Sequence, residues 1–323
     1  MKRILALFGL VAALMPAMAR AAEFWVDSVH GKSGNDGSSS APWRSLQEVL
    51  DKGLVESQRW ESLPYEEGAR LVPKNNGAPV KGGDTIYLRS GYYGDLRILG
   101  FYNTQDITVV AQDGHKPRFR SVRVRSGSHW VFRGLHVSPE YAPKHDQTKL
   151  FDLDSHGWHG PIHDIVVEDC RLQSIEDSAQ WTATDWDTLS CDGFEVDGAN
   201  VTIRNNVLRN VNHGISMGAE NSLVEGNLVE NFAGDGMRGF GDHTTFQYNT
   251  IKNSYAVNGN HDDGFQSWSS GGGGVGTGEV VGIVLRGNTF INYEDPDQPH
   301  RGQLQGIGCF DGRQRSACAI CGR

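Results

Sequence analysis

The sequence predicts an all-β chain wound as a solenoid, a right-handed parallel β-helix of roughly twenty-residue coils with an N-terminal capping helix. Three observations predict it: a repeated apolar and Asn pattern, a second strand opening shared by five coils, and a composition rich in glycine but poor in charge. The 323 residues include 41 glycines and are 21% charged, which suits short strands and tight turns better than long charged helices.

The repeat is explicit from residue 201 onward. Val201-Thr-Ile203-Arg-Asn-Asn206-Val-Leu208-Arg-Asn210-Val211 aligns with Ser222-Leu-Val224-Glu-Gly-Asn227-Leu-Val229-Glu-Asn231-Phe232. Thr244-Thr-Phe246-Gln-Tyr-Asn249-Thr-Ile251-Lys-Asn253 and Ile283-Val-Leu285-Arg-Gly-Asn288-Thr-Phe290-Ile-Asn292-Tyr293 continue it. The copies are offset by 21, 22 and 39 residues, the last interval holding a Gly-rich insertion from Ser269 to Gly282. An earlier coil, Ile165-Val-Val167-Glu-Asp-Cys170-Arg-Leu172, keeps the apolar positions and replaces the first Asn. Alternating apolar residues send one side chain inward and the next outward. The two Asn columns fall at the turns, where Asn tolerates left-handed backbone and stacked copies can bond one another.

A second strand in each coil opens Asp192-Gly-Phe194, His213-Gly-Ile215, Asp235-Gly-Met237, Asp263-Gly-Phe265 and Gln305-Gly-Ile307. Upstream, Thr85–Leu88, Ile107–Val109, Val122–Val124 and Trp130–Val137 read as strands of looser first coils. Ser45-Leu-Gln-Glu48 is a capping-box sequence opening a short helix through Leu50, placed to cover the first coil and prevent edge pairing. Residues 22–312 form the predicted helical domain, and 313–323 an irregular tail with neither the alternation nor the Asn.

Residues 1–21 read as an export signal: basic Lys2 and Arg3, an apolar run from Ile4 to Met15, and the small-x-small site Ala19-Arg20-Ala21. The run is too short to span a bilayer, so a secreted or periplasmic protein without a membrane span is expected. Losing Lys2, Arg3 and Arg20 takes the formal net charge from −9 to −12. Such an acidic body argues against a nucleic-acid partner, and any polyanionic substrate would need a local Arg or a bound cation. A monomer is expected. Of five cysteines, Cys170 and Cys191 occupy different repeat positions and should not bridge, and Cys318-x-x-Cys321 lacks the second pair of a zinc site.

Phe24-Trp-Val-Asp27, Gly34-Asn-Asp-Gly37, Pro42-Trp43-Arg-Ser-Leu46, Gly83-Asp-Thr-Ile86 and Gly91-Tyr-Tyr-Gly94 resemble the opening of secreted parallel β-helix proteins of the pectate-lyase-like superfamily. The resemblance covers most of the mature chain. It implies the fold and a polysaccharide partner rather than one reaction, because that superfamily includes lyases, hydrolases, epimerases and proteins with no known catalysis.

Equivalent residues of successive coils stack about 4.8 Å apart. The strand openings therefore make a ladder of Asp192, His213, Asp235, Asp263 and Gln305, and three residues on comes a second, Glu195, Ser216, Arg238, Gln266 and Gly308. Burying stacked carboxylates is costly, so the Asp column is expected to face outward, turned by the following Gly. His213, Arg238, His261, Asp192, Asp235 and Asp263 are the catalytic candidates, and Asp before Gly is equally good turn chemistry. Trp186, Trp268, Glu195 and Gln266 are expected to bind sugar, rings stacking on its apolar face. Trp181, Asp185, Trp186 and Asp187 lie on a loop from Asp177 to Ser190 that interrupts the repeat. Gly271 to Gly274 lacks the ending of a phosphate loop and reads as a hairpin.

Two reactions fit. In β-elimination or epimerisation of a uronan, Arg238, His213 or His261 takes the proton beside a carboxylate, and Asp235, Asp262 and Asp263 hold a calcium that meets that carboxylate. In hydrolysis, Asp192 and Asp235 lie two coils apart, about 9–10 Å, near the upper end of inverting geometry. Asn212-His213-Gly-Ile-Ser-Met-Gly218 and Asp192-Gly193 are similar to polygalacturonase segments, whose intervening Asp-Asp-Cys coil is absent. A non-catalytic carbohydrate-binding protein is the third reading.

Overall fold

The computed structural model describes residues 21–310 and 319–321, so the expected leader, apart from Ala21, and most of the expected tail lie outside the described residues. Nearly every strand pairs in parallel with the strand one coil away. An 18-stranded and an 8-stranded sheet result, plus a two-stranded hairpin, Ser270–Gly271 with Gly274–Val275, in the Gly-rich insertion.

Three faces enclose the core. Asp95–Ala111 and Ser121–Arg133 run continuously round a corner and so join two faces into the larger sheet. On one face Lys149–Asp154, Asp192–Val196, Ile215–Met217, Met237–Gly239, Phe265–Trp268 and Ile307–Phe310 stack in order. On the next lie Ile162–Glu168, Ala199–Arg204, Leu223–Glu225, Thr245–Gln247 and Val284–Arg286. The 8-stranded sheet is the third face and runs from Gly91–Tyr92 to Thr289–Ile291.

The alternation works as the sequence requires: Ile203, Leu208, Val224, Val229, Phe246 and Ile251 are buried in one continuous core cluster. The first Asn column forms a ladder. Asn227 Oδ1 accepts from the backbone N–H and Nδ2 of Asn206 at 2.9 and 3.0 Å, Asn249 does the same for Asn227, and Asn288 for Asn249. Each rung satisfies buried backbone that no strand partner reaches. These Asn are not the left-handed residues; that conformation falls on the residue before, Asn205, Gly226, Tyr248 and Gly287. In the second column Asn210, Asn231 and Asn253 do take positive φ, of 52°, 60° and 63°. They are bonded coil to coil at 3.0 and 3.1 Å.

The short helix is Leu46–Asp51, with Ser45 Oγ accepting from the Glu48 backbone N–H at 3.2 Å. Leu46, Val49 and Leu50 pack into the core, and the Glu48 carboxylate pairs with Arg44 instead of closing the capping box. Three features differ from expectation. Ser57–Trp60 and Leu71–Lys74 form an antiparallel excursion with no repeat signature. The interrupting loop contains a helix, Ala183–Leu189, whose capping box uses Thr182 and Asp185. Ala319–Cys321, expected in an irregular tail, pairs in parallel with Val284–Arg286 and so continues the stack. Cys170 and Cys191 are buried free thiols. No helix among the described residues is long and apolar enough to cross a membrane.

Candidate functional site

On the first face the strands stack Phe194, Ile215, Met237, Phe265 and Ile307 in register. Asp192, His213, Asp235 and Asp263, each two residues earlier, are thereby neighbours on consecutive coils. The glycine after each makes this possible by leaving room. A Cβ on Gly193 would lie 2.4 Å from the carbonyl oxygen of Gly214, and one on Gly214 2.3 Å from that of Gly236. Gly193 and Phe194 both turn inward, which breaks strict alternation and leaves the preceding side chain on the outer wall.

The column is bonded down its length. The Asn212 Nδ2 and the His213 backbone N–H donate to Asp192 Oδ1 at 3.0 and 3.3 Å. The Asp235 N–H donates to His213 Nδ1 at 2.8 Å, and the Asp263 N–H to Asp235 Oδ1 at 3.0 Å. Each side chain thus accepts from the backbone of the next coil, which is the turn role the Asp-Gly pattern also allowed.

Side chains from the second column then reach back. Arg238 Nε donates to Asp235 Oδ2 at 2.6 Å, and its Nη2 lies 2.8 Å from His213 Nε2. Gln266 Nε2 donates to Asp263 Oδ2 at 2.8 Å. His213 therefore faces two obligate donors, a backbone N–H on one nitrogen and a guanidinium on the other. A neutral imidazole has one lone pair for the two, and an imidazolium has none. Burial, then the Arg238 charge, hold the His213 pKa below the ordinary value.

Other expected site residues are placed unevenly. Asp235 and Asp263 are on the predicted wall yet only 1% exposed, with Arg238 and Gln266 over them. Burial, then the Asp235 charge, raises the Asp263 pKa. His261 stands at the rim, 56% exposed, 3.6 Å from Asp263. Glu195 is half-exposed, 3.9 Å from Lys149, its pKa raised by burial and then lowered in part by that lysine. Trp268 packs on Phe240 at 4.4 Å and lies 5.6 Å from the Arg238 guanidinium, within the site. Trp186 is not a sugar platform: it is 1% exposed, stacked 4.4 Å from Tyr255, because its helix folds that ring under the loop.

The expected calcium cage is not assembled. Asp235 has both oxygens bonded, Asp262 turns to Ser254 Oγ at 2.7 Å, and Asp263 is held by Gln266. Among the described residues no three His, Cys, Asp or Glu side chains are grouped to hold a metal. Nor do Asp192 and Asp235 make a hydrolytic pair, since Asp235 is covered and fully bonded.

Sequence reasoning missed Lys149 and Asp152, which occupy the two columns one coil earlier, in register with Asp192 and Glu195. Lys149-Leu-Phe-Asp152 has the spacing of Asp192-Gly-Phe-Glu195, and Phe151 stacks against Phe194 at 5.5 Å, so the signal was present without its glycine. Asp152 also binds Arg123 Nε at 2.6 Å, carrying the charged column further back.

Residues 163–318 match the family model described as right handed beta helix region. The chain folds as a right-handed parallel β-helix. No curated protein matches this right-handed β-helix chain. Among solved structures it is similar to a rhamnogalacturonan lyase, at 15% identity and TM-score 0.42, over 94% of this chain and 66% of the lyase. It is similar also to the pectin methylesterase of Aspergillus niger, at 11% identity and TM-score 0.44, over 95% of this chain and 91% of that one. A mannuronan C-5 epimerase A-module from Azotobacter vinelandii matches at 11% identity and TM-score 0.30, over 75% of this chain and 91% of the module.

Proposed function

We propose that this β-helix acts on a uronic-acid-containing polysaccharide outside the cytoplasm, removing the proton beside the sugar carboxylate as a lyase or epimerase does. The observation that carries the reading is His213 against the Arg238 guanidinium at 2.8 Å, where burial and that charge hold its pKa below the ordinary value. Abstraction of such a proton needs a base and a positive group that takes up the charge growing on the carboxylate. Both are present, in contact, and partly open, with side-chain exposures of 17% for His213 and 20% for Arg238.

An arriving carboxylate competes for Arg238. When the fork turns to it, His213 Nε2 is left facing the sugar, and it takes the sugar proton once the ring's own hydrogen sits on Nδ1 and the Asp235 N–H contact has opened. Asp235, bonded through both oxygens, fixes the Arg238 stem, and before substrate arrives its backbone N–H holds the ring's other nitrogen. Trp268 supplies an apolar surface beside the guanidinium.

Purified mature chain is incubated with polygalacturonate and with alginate in deuterated water. Ultraviolet-absorbing ends are expected if elimination follows, because the carbon bearing the carboxylate then joins a double bond and holds no hydrogen, and deuterium at that carbon without such ends is expected if a proton returns from solvent. His213→Ala or Arg238→Ala should lower whichever signal the parent gives at least ~100-fold. New reducing ends without either signal would mean hydrolysis and would remove this reading.

A further inference from the structure

The 8-stranded sheet carries a second charged column, unrelated to His213. Tyr92, Arg118, His136 and Arg171 pair in register on four consecutive strands. They line a cleft of about 540 Å³ together with Lys116, Tyr141, Glu140 and Glu176. Two guanidiniums, an imidazole and an ammonium thus gather within three coils of a chain whose net charge is −9. Like charges stacked about 4.8 Å apart repel unless something between them is negative.

The two carboxylates supply only part of it, two negative charges against Arg118, Arg171 and Lys116. Glu140 accepts from the Glu176 backbone N–H at 2.8 Å and from Gln173 Nε2 at 3.4 Å, and Glu176 accepts from Gln173 Nε2 at 2.8 Å. Arg171 reaches Glu176 at 3.7 Å. Arg118 and Lys116 have no ion pair among the described residues, and Arg118 instead lies over the Tyr141 ring at 5.2 Å. The excess positive charge is felt inside the cleft: burial, then Arg171, Lys116 and Arg118, push the His136 pKa down, and Glu176 offsets this in part.

We propose that this column is a second binding site, for a sugar unit bearing an oxyanion, with Arg118, Lys116 and Arg171 on the oxyanion and Tyr92 and Tyr141 beside the ring. A planar fork suits carboxylate or sulfate, and an exposed tyrosine beside it suits the apolar face of a pyranose. The site stands on its own sheet and does not depend on the reaction proposed for His213.

The test is affinity electrophoresis of the mature chain at low ionic strength in gels holding polygalacturonate, dextran sulfate or neutral dextran. The first two arms separate a carboxylate ligand from a sulfate one. Retardation by at least one anionic polymer and none by dextran is expected. Arg118→Gln with Arg171→Gln should weaken it tenfold or more, the Lys116→Glu variant should weaken it as well, and Arg118→Lys with Arg171→Lys should restore part of it. All these positions are at the surface, and a melting curve checks that each variant is folded. Unchanged retardation in the double variant, loss only in Arg238→Gln, equal binding of dextran, or no binding by the parent chain would each overturn the proposal.

Discussion

His213 is the residue at which local geometry and chemistry are hardest to separate. Its ring bonds the next coil's backbone as Asp192 and Asp235 do, so any acceptor would serve the stack; only an imidazole also meets Arg238 on its far side. Asp262 shows the opposite case, a buried carboxyl serving no visible partner beyond Ser254. Burial pushes its pKa up to about 6 from 3.8. The folded chain therefore keeps a proton that the unfolded chain has already released, and the resulting stabilisation is full below pH 3.8 and lost as pH rises through 6. Asp262→Asn should be more stable than the parent at pH 8, by about 1–2 kcal/mol, and equal to it below pH 3.5, in denaturant midpoints taken at both. A variant less stable than the parent at pH 8 would mean that the charge is compensated.

At the scale of elements, the repeat was legible because each coil solves the same problem with the same residues. Asn206, Asn227 and Asn249 each donate from the backbone N–H and Nδ2 to the next Asn Oδ1, and all four Nδ2 groups donate to a carbonyl of the preceding coil, so their spacing announced both strand and turn. What was not legible lies outside that periodicity. The Ala183–Leu189 helix hides Trp186 through a stacking contact with Tyr255, 69 residues further along the chain, and no local pattern encodes such a contact. The site was half legible: register put Asp192, His213, Asp235 and Asp263 together, while burial of two of them depends on Arg238 and Gln266 reaching back three residues. Asn227→Ala removes the acceptor for two Asn206 donors and the donor to the Ile203 carbonyl. It should cost about 2–4 kcal/mol, read as a lowered denaturant midpoint, and a loss under 1 kcal/mol would show the ladder to be dispensable.

Across the whole molecule, coils touch mainly their neighbours, so damage should stay local in a way it does not in a globular core. In the Asn227→Ala chain, amide exchange should quicken within 201–254 and stay unchanged in 85–133; uniform acceleration along the chain would mean that the solenoid unfolds as one unit. Charge is distributed on the same plan, with Glu168 between Arg133 and Arg204 on one face and uncompensated Arg118 on another. The first Asn ladder has a direction, Asn206, Asn227 and Asn249 each handing the backbone N–H and one Nδ2 hydrogen to the Oδ1 one coil further on. A whole coil excised or duplicated between two rungs would leave a giver on one side of the joint and a taker on the other, so the ladder tolerates a change of one coil in length but no change in cross-section.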